Sequence, residues 1–454
     1  MPGRLTDKLP ARRTYPRRKT FGPDPLTSAT STIPAQKEPT VAAGQFLRRL
    51  FEIVFYAQFL LVSILTVFLT TRGFLSARRH HFHPAEWYPP LLSATGGAAV
   101  AAFVLQRLIQ CSPSKALRAA FWLSPVLVLG VGVLLSCMDS VVGLVIGVIS
   151  IISAVSLALY GCWVNTRFEY ASEIISVSTA SVSSEISCLV GFSVTVAVLY
   201  SGFTVCGIGG ATAVGTTLDV AFILIELLSL TWTMHVIKNA LQATVSRVEY
   251  LRLVCGVQMD CRTALRETAR YLMGSVSIGS VFVPVSGVIR GSARAISTVA
   301  GDADEFLFSC ADCYSGVASA LTSRANRWGF VHVGVYNKEF AQASKDTWDM
   351  FRRAEIEVLI DSDLTGVVCF LCGVTGGAVS SLIAGSWALA VHKSYATELS
   401  LYAFLIGYFM CRVAVAGAQA CVSAHYVAYS ENPQSPQVDP IITVRLQEMK
   451  RHQA

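Results

Sequence analysis

The sequence predicts an all-α, polytopic membrane protein with about ten transmembrane helices and both termini in the cytoplasm. Of its 454 residues, 53% are hydrophobic and only 14% are charged, whereas soluble domains carry about 25% charged residues. Apolar runs of some twenty residues recur along the chain, and a helix of about 20 residues crosses the hydrocarbon layer of a bilayer. Because these runs are continuous rather than alternating, they favour helices over a transmembrane β-barrel.

Ten segments are candidate transmembrane helices. In chain order they are 51–71, 91–108, 119–137, 141–163, 186–206, 218–237, 271–288, 306–321, 364–391 and 399–427. Pro284 is expected to interrupt the seventh, and the eighth is only weakly apolar, so 271–322 fits either two spans or a re-entrant pair. An even number of spans places the basic connections in the cytoplasm, as the positive-inside rule requires.

The two ends of the chain are polar. Residues 1–46 hold seven of the sixteen prolines and a cluster of Arg and Lys, a composition that cannot bury a core. We therefore expect a disordered, basic cytoplasmic tail at 1–46, a transmembrane domain at 47–430 and a cytoplasmic C-terminal tail at 431–454.

The sixth span carries ionisable side chains that would be unfavourable in contact with lipid. Asp219 and Glu226 are seven residues apart and therefore share one helix face, and a carboxylate in mid-membrane costs roughly 2.5–3.5 kcal/mol. A second polar stripe follows at helical spacing, formed by Trp232, His235, Asn239 and Gln242. These stripes predict a helix buried on several sides, which either lines a solute path or bonds to neighbouring helices. Lys238 is expected to extend to the membrane interface or to pair with one of the two acids.

Three stretches and the last span form recognisable motifs. They are WTMHVIKNALQATVSRV (232–248), LRETARYLMGSVSIGSVFVPV (265–285), NRWGFVHVGVYNKEFAQASKDTWDMFRR (326–353) and the end of the final span, at 426–429, followed by ENPQ. In this order they resemble the choline transporter-like family, especially its fungal and plant branch. The chain differs from the family pattern at Asn337, where Gly is usual, and at Arg247, where a small residue is usual.

The resemblance implies a transporter for choline or a related, ethanolamine-like organic cation, located in the plasma membrane. A quaternary ammonium donates no hydrogen bonds, so it is expected to be held by aromatic faces and a carboxylate. Candidate substrate-binding residues are Glu226, Asp219, Trp232, Asn239, Trp387 and Tyr408. Glu226 would be the counter-charge, and Asp219 would concentrate cations at the outer mouth. The aromatic residues could instead be interfacial anchors or core.

The sequence offers no support for a cofactor, a metal site, nucleic-acid binding or catalysis. Two Cys-x-x-Cys pairs, at 310–313 and 369–372, lie in apolar stretches and favour free thiols over zinc ligands. The His80–His83 run favours an interfacial loop. No nucleotide-binding or hydrolase motif is present in the chain. The expected partners are therefore the cation and the lipid bilayer. The alternatives are a non-transporting scaffold or lipid-associated protein with structural buried charges, and a membrane-embedded lipid enzyme.

Overall fold

The computed structural model describes residues 39–76, 84–180, 182–214, 216–300, 316, 319–321, 323–391, 393–433 and 440–453. All regular elements in these ranges are helical, which confirms the predicted fold class. The chain divides into two compact units, 1–43 and 44–454. The first is described only at 39–43, where it is helical, so most of the predicted tail at 1–46 lies outside the described residues.

The helices are numbered here in chain order. Their bounds are α1 Pro39–Ser76, α2 Pro84–Cys111, α3 Pro113–Ser136, α4 Val141–Val164, α5 Phe168–Thr179, α6 Ser184–Thr212, α7 Thr217–Tyr250, α8 Cys261–Glu267, α9 Met273–Ala300, α10 Gly329–Tyr336, α11 Phe340–Arg353, α12 Glu357–Ser362, α13 Thr365–Val391, α14 Ala396–Ala414, α15 Ala416–Glu431 and α16 Ile441–Gln453. One π-helical turn, Leu251–Cys255, extends α7, and another, Thr268–Leu272, joins α8 to α9.

The membrane-spanning helices match the predicted segments closely. In the part of the chain that the structure describes, eight helical segments are long and apolar enough to cross a membrane, and α14 with α15 forms a ninth, bent by 44°. These nine correspond to nine of the ten predicted spans, and the tenth, 306–321, lies mostly outside the described residues. The expected interruption at Pro284 is wrong, because α9 continues through it. Next to this proline, Ser286 Oγ donates hydrogen bonds to the carbonyls of Val283 and Ala325, at 3.0 and 2.7 Å.

Small residues allow the helices to pack closely. A Cβ on Gly147 of α4 would lie 2.4 Å from Ser136 Oγ of α3, so the Gly143–Gly147 spacing marks a real helix contact. Between α13 and α14, a Cβ on Gly407 would lie 2.3 Å from Ser380 Oγ. These contacts bring backbones together where larger side chains would hold them apart.

Helix α7 packs against at least six other helices. It contacts α6, α8, α9, α10, α14 and α15. Its polar second half is buried nearly continuously from Leu241 to Ser246. The prediction that this helix is covered on several sides is therefore confirmed for its second half, whereas Leu218, Leu224 and Leu228 in the first half are exposed.

The 326–353 motif forms a compact helical hairpin of α10 and α11. Asn326 ties its two arms together, because its Nδ2 donates to the Ser344 carbonyl at 2.9 Å and its Oδ1 accepts from the Gly329 amide at 3.0 Å. Asn337 ends α10 with a φ of 51°. This left-handed conformation favours Gly and tolerates Asn better than other residues, which accounts for Asn at a position where Gly is usual.

Candidate functional site

Asp219 belongs to the start of α7, where its carboxylate is fully engaged. Its Oδ2 accepts hydrogen bonds from the backbone N and the Oγ1 of Thr216, at 2.6 and 2.7 Å, and so forms a capping box. Its Oδ1 pairs with Arg72 Nη1 of α1 at 3.0 Å. With 2% of its surface exposed, Asp219 ties α7 to α1, and its role in concentrating cations stays a prediction.

Glu226 lies two turns further along the same face and has an incomplete set of partners. Its Oε1 accepts a hydrogen bond from Thr66 Oγ1 of α1 at 2.7 Å. Its Oε2 is buried and has no hydrogen-bond partner among the described residues, and the residue is 1% exposed. A Cβ on Gly207 of α6 would lie 3.0 Å from Oε1. Three helices, α1, α6 and α7, therefore enclose a carboxylate with one free oxygen.

Four aromatic side chains on the same three helices contact one another in a row, and we call them the aromatic column: Phe55, Phe59, Tyr200 and Trp232. The Phe55 and Trp232 rings meet edge to face at 5.6 Å, and the Phe59 and Tyr200 rings stack at 5.8 Å. The Tyr200 hydroxyl is 2.8 Å from Ser229 Oγ, which lies about one turn beyond Glu226 on α7. Aromatic faces within reach of a negative charge are a suitable environment for an organic cation.

The structure separates the six predicted site residues. Glu226 and Trp232 both face α1. Asn239 faces α9, where its Nδ2 donates to Ser280 Oγ at 3.0 Å. Tyr408 of α14 packs edge to face against Phe370 of α13, at 6.1 Å between ring centroids, and Trp387 is 45% exposed.

Sequence reasoning missed the partners that α1 and α6 contribute. They are Phe55, Phe59, Thr66, Tyr200 and Gly207. The first three follow one another at +4 and +7 and so share one helix face. That spacing could have indicated a shared face on α1. The indication is weak, because apolar and aromatic residues are common at such positions in any membrane helix.

The expectation for Lys238 is wrong. This residue was expected to reach the membrane interface or to pair with one of the two acids, but it is 5% exposed. Its Nζ donates to Asn239 Oδ1 at 3.0 Å and to Gln242 Oε1 at 3.4 Å. The reason is that α7 continues as a buried helix beyond the apolar run, so neighbouring helices cover the position that seemed to lie near the edge.

The far end of α7 is tied to two other helices. The hydroxyls of Tyr250, on α7, and Tyr336, on α10, are 2.8 Å apart. Both also donate to the carboxylate of Glu431 at the end of α15. This cluster joins the ends of three helices on the side that the sequence predicts to be cytoplasmic.

Across the described residues, no group of three or more His, Cys, Asp or Glu side chains is arranged to hold a metal ion. Cys369 and Cys372 are buried free thiols. The Cys310–Cys313 pair and the His80–His83 run lie outside the described residues.

Comparisons with known proteins agree with this architecture. The chain is 26% identical to Protein pns1 of Aspergillus fumigatus over 183 residues, which are 38% of this chain and 34% of that protein. It is 26% identical to Protein PNS1 of Neurospora crassa over 216 residues, 45% of this chain and 39% of that protein. A CTL-like protein of Dictyostelium discoideum is 22% identical over 304 residues, 64% of this chain and 54% of that protein.

The matched segments thus span about a third to a half of the length of these curated relatives. A family model described as plasma-membrane choline transporter matches residues 148–434. That range contains the recognised motifs and most of α7, α9, α13 and α14. Because the match covers more than half of the chain, this protein belongs to the plasma-membrane choline transporter family, a family of membrane transporters.

Proposed function

We propose that this protein carries choline or a related organic cation across the plasma membrane by alternating access, with Glu226 as the counter-charge of the bound cation. The single observation that supports this role is that Glu226 Oε2 is buried without a hydrogen-bond partner among the described residues. Glu226 lies on the helix that also carries Trp232 of the aromatic column. A buried polar atom without a partner is unfavourable. A cation bound there would supply the missing interaction.

The aromatic column suits a quaternary ammonium better than a hydrogen-bonding cation. Each cation–π contact contributes about 0.5–2 kcal/mol, with larger values in dry surroundings. Thr66 holds the other carboxylate oxygen and so fixes the orientation of Glu226. Trp232 Nε1 is buried without a partner among the described residues. The hydroxyl oxygen of choline can accept a hydrogen bond from this N–H, whereas its quaternary ammonium cannot.

Alternating access requires contacts that break on one side of the site. The cluster of Tyr250, Tyr336 and Glu431 supports such a role, because it joins the ends of α7, α10 and α15. We propose that its hydrogen bonds hold the cytoplasmic side closed in this conformation. Their separation would open a path from the site to the cytoplasm.

The alternative is a non-transporting membrane scaffold in which the acids of α7 are structural. Asp219 favours this alternative, because its carboxylate is fully used in capping and in its pair with Arg72. The two acids therefore provide a matched test: the transporter proposal requires Glu226 to behave differently from Asp219.

The test is uptake into proteoliposomes that contain the full chain, with an imposed potential that is negative inside. Labelled choline and labelled ethanolamine are offered separately. A potential of 100 mV supplies about 2.3 kcal/mol per charge and so supports roughly fifty-fold accumulation. We expect Glu226→Gln, which keeps an acceptor for Thr66, to lower uptake at least tenfold, whereas Asp219→Asn retains most of it.

Size-exclusion profiles and melting temperatures of the two variants control for folding. Wild-type uptake that does not exceed that of empty liposomes for any amine would contradict the transporter proposal and favour the scaffold. Equal uptake by Glu226→Gln and wild type would show that transport does not require the charge of Glu226.

A further inference from the structure

We propose that a small inorganic anion, of which chloride is the representative, binds in the core between α7, α13 and α14. The site is a group of buried cations that we call the basic cluster: Lys238, Arg327 and Arg412. Its position differs from that of Glu226, since Lys238 lies about three turns, or about 18 Å, further along α7.

Lys238 provides the first argument. Its ammonium group is deeply buried, and the acceptors within reach are the neutral amide oxygens of Asn239 and Gln242. A buried ammonium is normally paired with an acid or another anion. Amide oxygens orient it but leave its charge uncompensated.

Arg412 provides the second argument. Its Nε and Nη1 are buried and have no hydrogen-bond partner in the described part of the chain. Its side chain packs against α13, because a Cβ on Gly373 would lie 2.8 Å from Arg412 Cγ. The rings of His235 on α7 and Phe409 on α14 are 5.2 Å apart. Lys238 and Arg412 each follow about one turn later on these helices. A guanidinium with unused donors therefore lies beside an ammonium whose charge is not compensated.

The acids in this region do not offset these charges. Asp363 forms an ion pair with Arg327, which also interacts electrostatically with Lys238. That pair is neutral as a unit. The charges of Lys238 and Arg412 thus have no acid partner among the residues that the structure describes, and two like charges in a dry core repel each other strongly.

The packing indicates the size of the missing partner. The His235 and Phe409 rings lie 5.2 Å apart beside the cluster. A Cβ on Gly376 of α13 would approach Cys411 Sγ of α14 to 2.2 Å. Such close contact between α13 and α14 favours a single halide ion over a carboxylate-bearing or phosphate-bearing molecule.

The test is equilibrium binding of radioactive chloride to the purified full chain in detergent, with gluconate holding the ionic strength constant. We expect saturable binding by the wild type. Either Lys238→Gln or Arg412→Gln should weaken the affinity at least tenfold. Arg412→Lys, which keeps the charge, should retain part of it. The matched control is Arg262→Gln, because Arg262 is exposed on α8, and its affinity should equal that of the wild type.

A second readout is the melting temperature in chloride against gluconate. A ligand that binds only the folded state raises this temperature in a saturable way. We expect chloride to raise it in the wild type and in Arg262→Gln, and to have at least a several-fold smaller effect in Arg412→Gln. The difference between the two salts is measured separately for each variant, so it remains valid if a variant is less stable than the wild type.

Three results would overturn the proposal: binding that does not saturate, equal affinity in wild type and Arg412→Gln, or a melting temperature that is the same in both salts. The first is also the outcome expected if Lys238 carries no charge in the folded protein. Chloride binding does not depend on the cation site, so Glu226→Gln should bind chloride normally even if it abolishes choline uptake.

Discussion

Asp219 and Glu226 lie on one face of α7, two turns apart, yet their surroundings differ. Asp219 sits in the first turn, where free backbone amides and the Thr216 hydroxyl are available, and Arg72 completes its set of partners. Glu226 sits where every backbone amide is used within the helix, so its hydrogen-bond donors must be side chains. Thr66 provides one, and Oε2 is left free.

The difference shows that two acids on the same face of one helix need not have the same role. An acid at the N-terminus of a helix has local donors and a favourable dipole. The same acid in the middle of a membrane helix depends on its neighbours or on a ligand. The predictions below test this contrast, from the largest expected effect to the smallest.

Two glycines of α6 that pack against α1 should respond differently to an added methyl group. A Cβ on Gly210 would lie 2.2 Å from the Leu69 carbonyl oxygen of α1, near the Arg72–Asp219 pair. The backbone cannot yield easily, so we expect Gly210→Ala to destabilise the fold by about 3 kcal/mol. Thermal unfolding and the yield of folded protein measure this loss.

Gly207→Ala is the matched comparison, since its Cβ would meet the side chains of Thr66 and Glu226 at 2.9 and 3.0 Å. These side chains can move, so we expect a smaller loss of stability than in Gly210→Ala, together with a clear loss of choline affinity. Equal destabilisation by both substitutions would show that the contact between α1 and α6 is as rigid at Gly207 as at Gly210.

Asp219→Asn should affect stability rather than transport. The substitution removes the charge that pairs with Arg72, which is partly exposed and can turn to water. We expect a loss of about 2 kcal/mol, because one of the two buried oxygens that accept hydrogen bonds from Thr216 and Arg72 becomes an NH2 group, which can only donate. Chemical or thermal unfolding in detergent measures the change. In a double-mutant cycle with Arg72→Gln, additive effects would show that the ion pair contributes nothing.

Trp232 and Trp387 should differ in their effect on substrate affinity. Trp232 belongs to the aromatic column, whereas Trp387 is 45% exposed. We expect Trp232→Leu to raise the KM for choline about tenfold, which corresponds to about 1.4 kcal/mol and lies within the range of a cation–π contact. Trp387→Leu should leave KM unchanged, and a similar rise in KM for both variants would argue for a general effect on folding.

Thr66→Val should have the smallest effect of the substitutions at the candidate cation site. The substitution removes the one hydrogen bond that holds Glu226 Oε1 and keeps the shape of the side chain. We expect stability to fall by about 1 kcal/mol and choline affinity to fall a few-fold, because the carboxylate is less well oriented. Binding and unfolding measurements on the same preparation check both effects, and unchanged affinity would show that Thr66 does not position Glu226.

Composition and hydropathy were sufficient to predict the spans, because crossing a bilayer constrains length and polarity directly. The multi-sided burial of α7 was also predictable, since its polar residues could not face lipid. The partners of those residues were not. Thr66 is 160 positions from Glu226, and a single threonine in an apolar helix carries no mark that identifies such a contact.

Lys238 and Trp387 show the same limit of sequence-based prediction, which does not reveal tertiary neighbours. The sequence shows how far a residue is from the end of an apolar run, but not how many helices cover it. Lys238 is buried because α7 continues into the core of the fold, and Trp387 is exposed because its side of α13 is uncovered. Asn337 is a contrasting case, because its left-handed backbone follows from local chemistry and explains the preference for Gly. Its side chain also accepts a hydrogen bond from Arg48 Nη2 at 2.8 Å, which the sequence did not indicate.

The most direct test of the account is equilibrium binding of labelled choline to the purified wild-type chain, to Glu226→Gln and to Asp219→Asn. The account predicts that Glu226→Gln raises the Kd at least tenfold and that Asp219→Asn changes it less than threefold, once both are corrected for the folded fraction. Equal changes in the two variants, or an unchanged Kd in Glu226→Gln, would contradict the claim that the free carboxylate oxygen in the middle of α7 binds the cation.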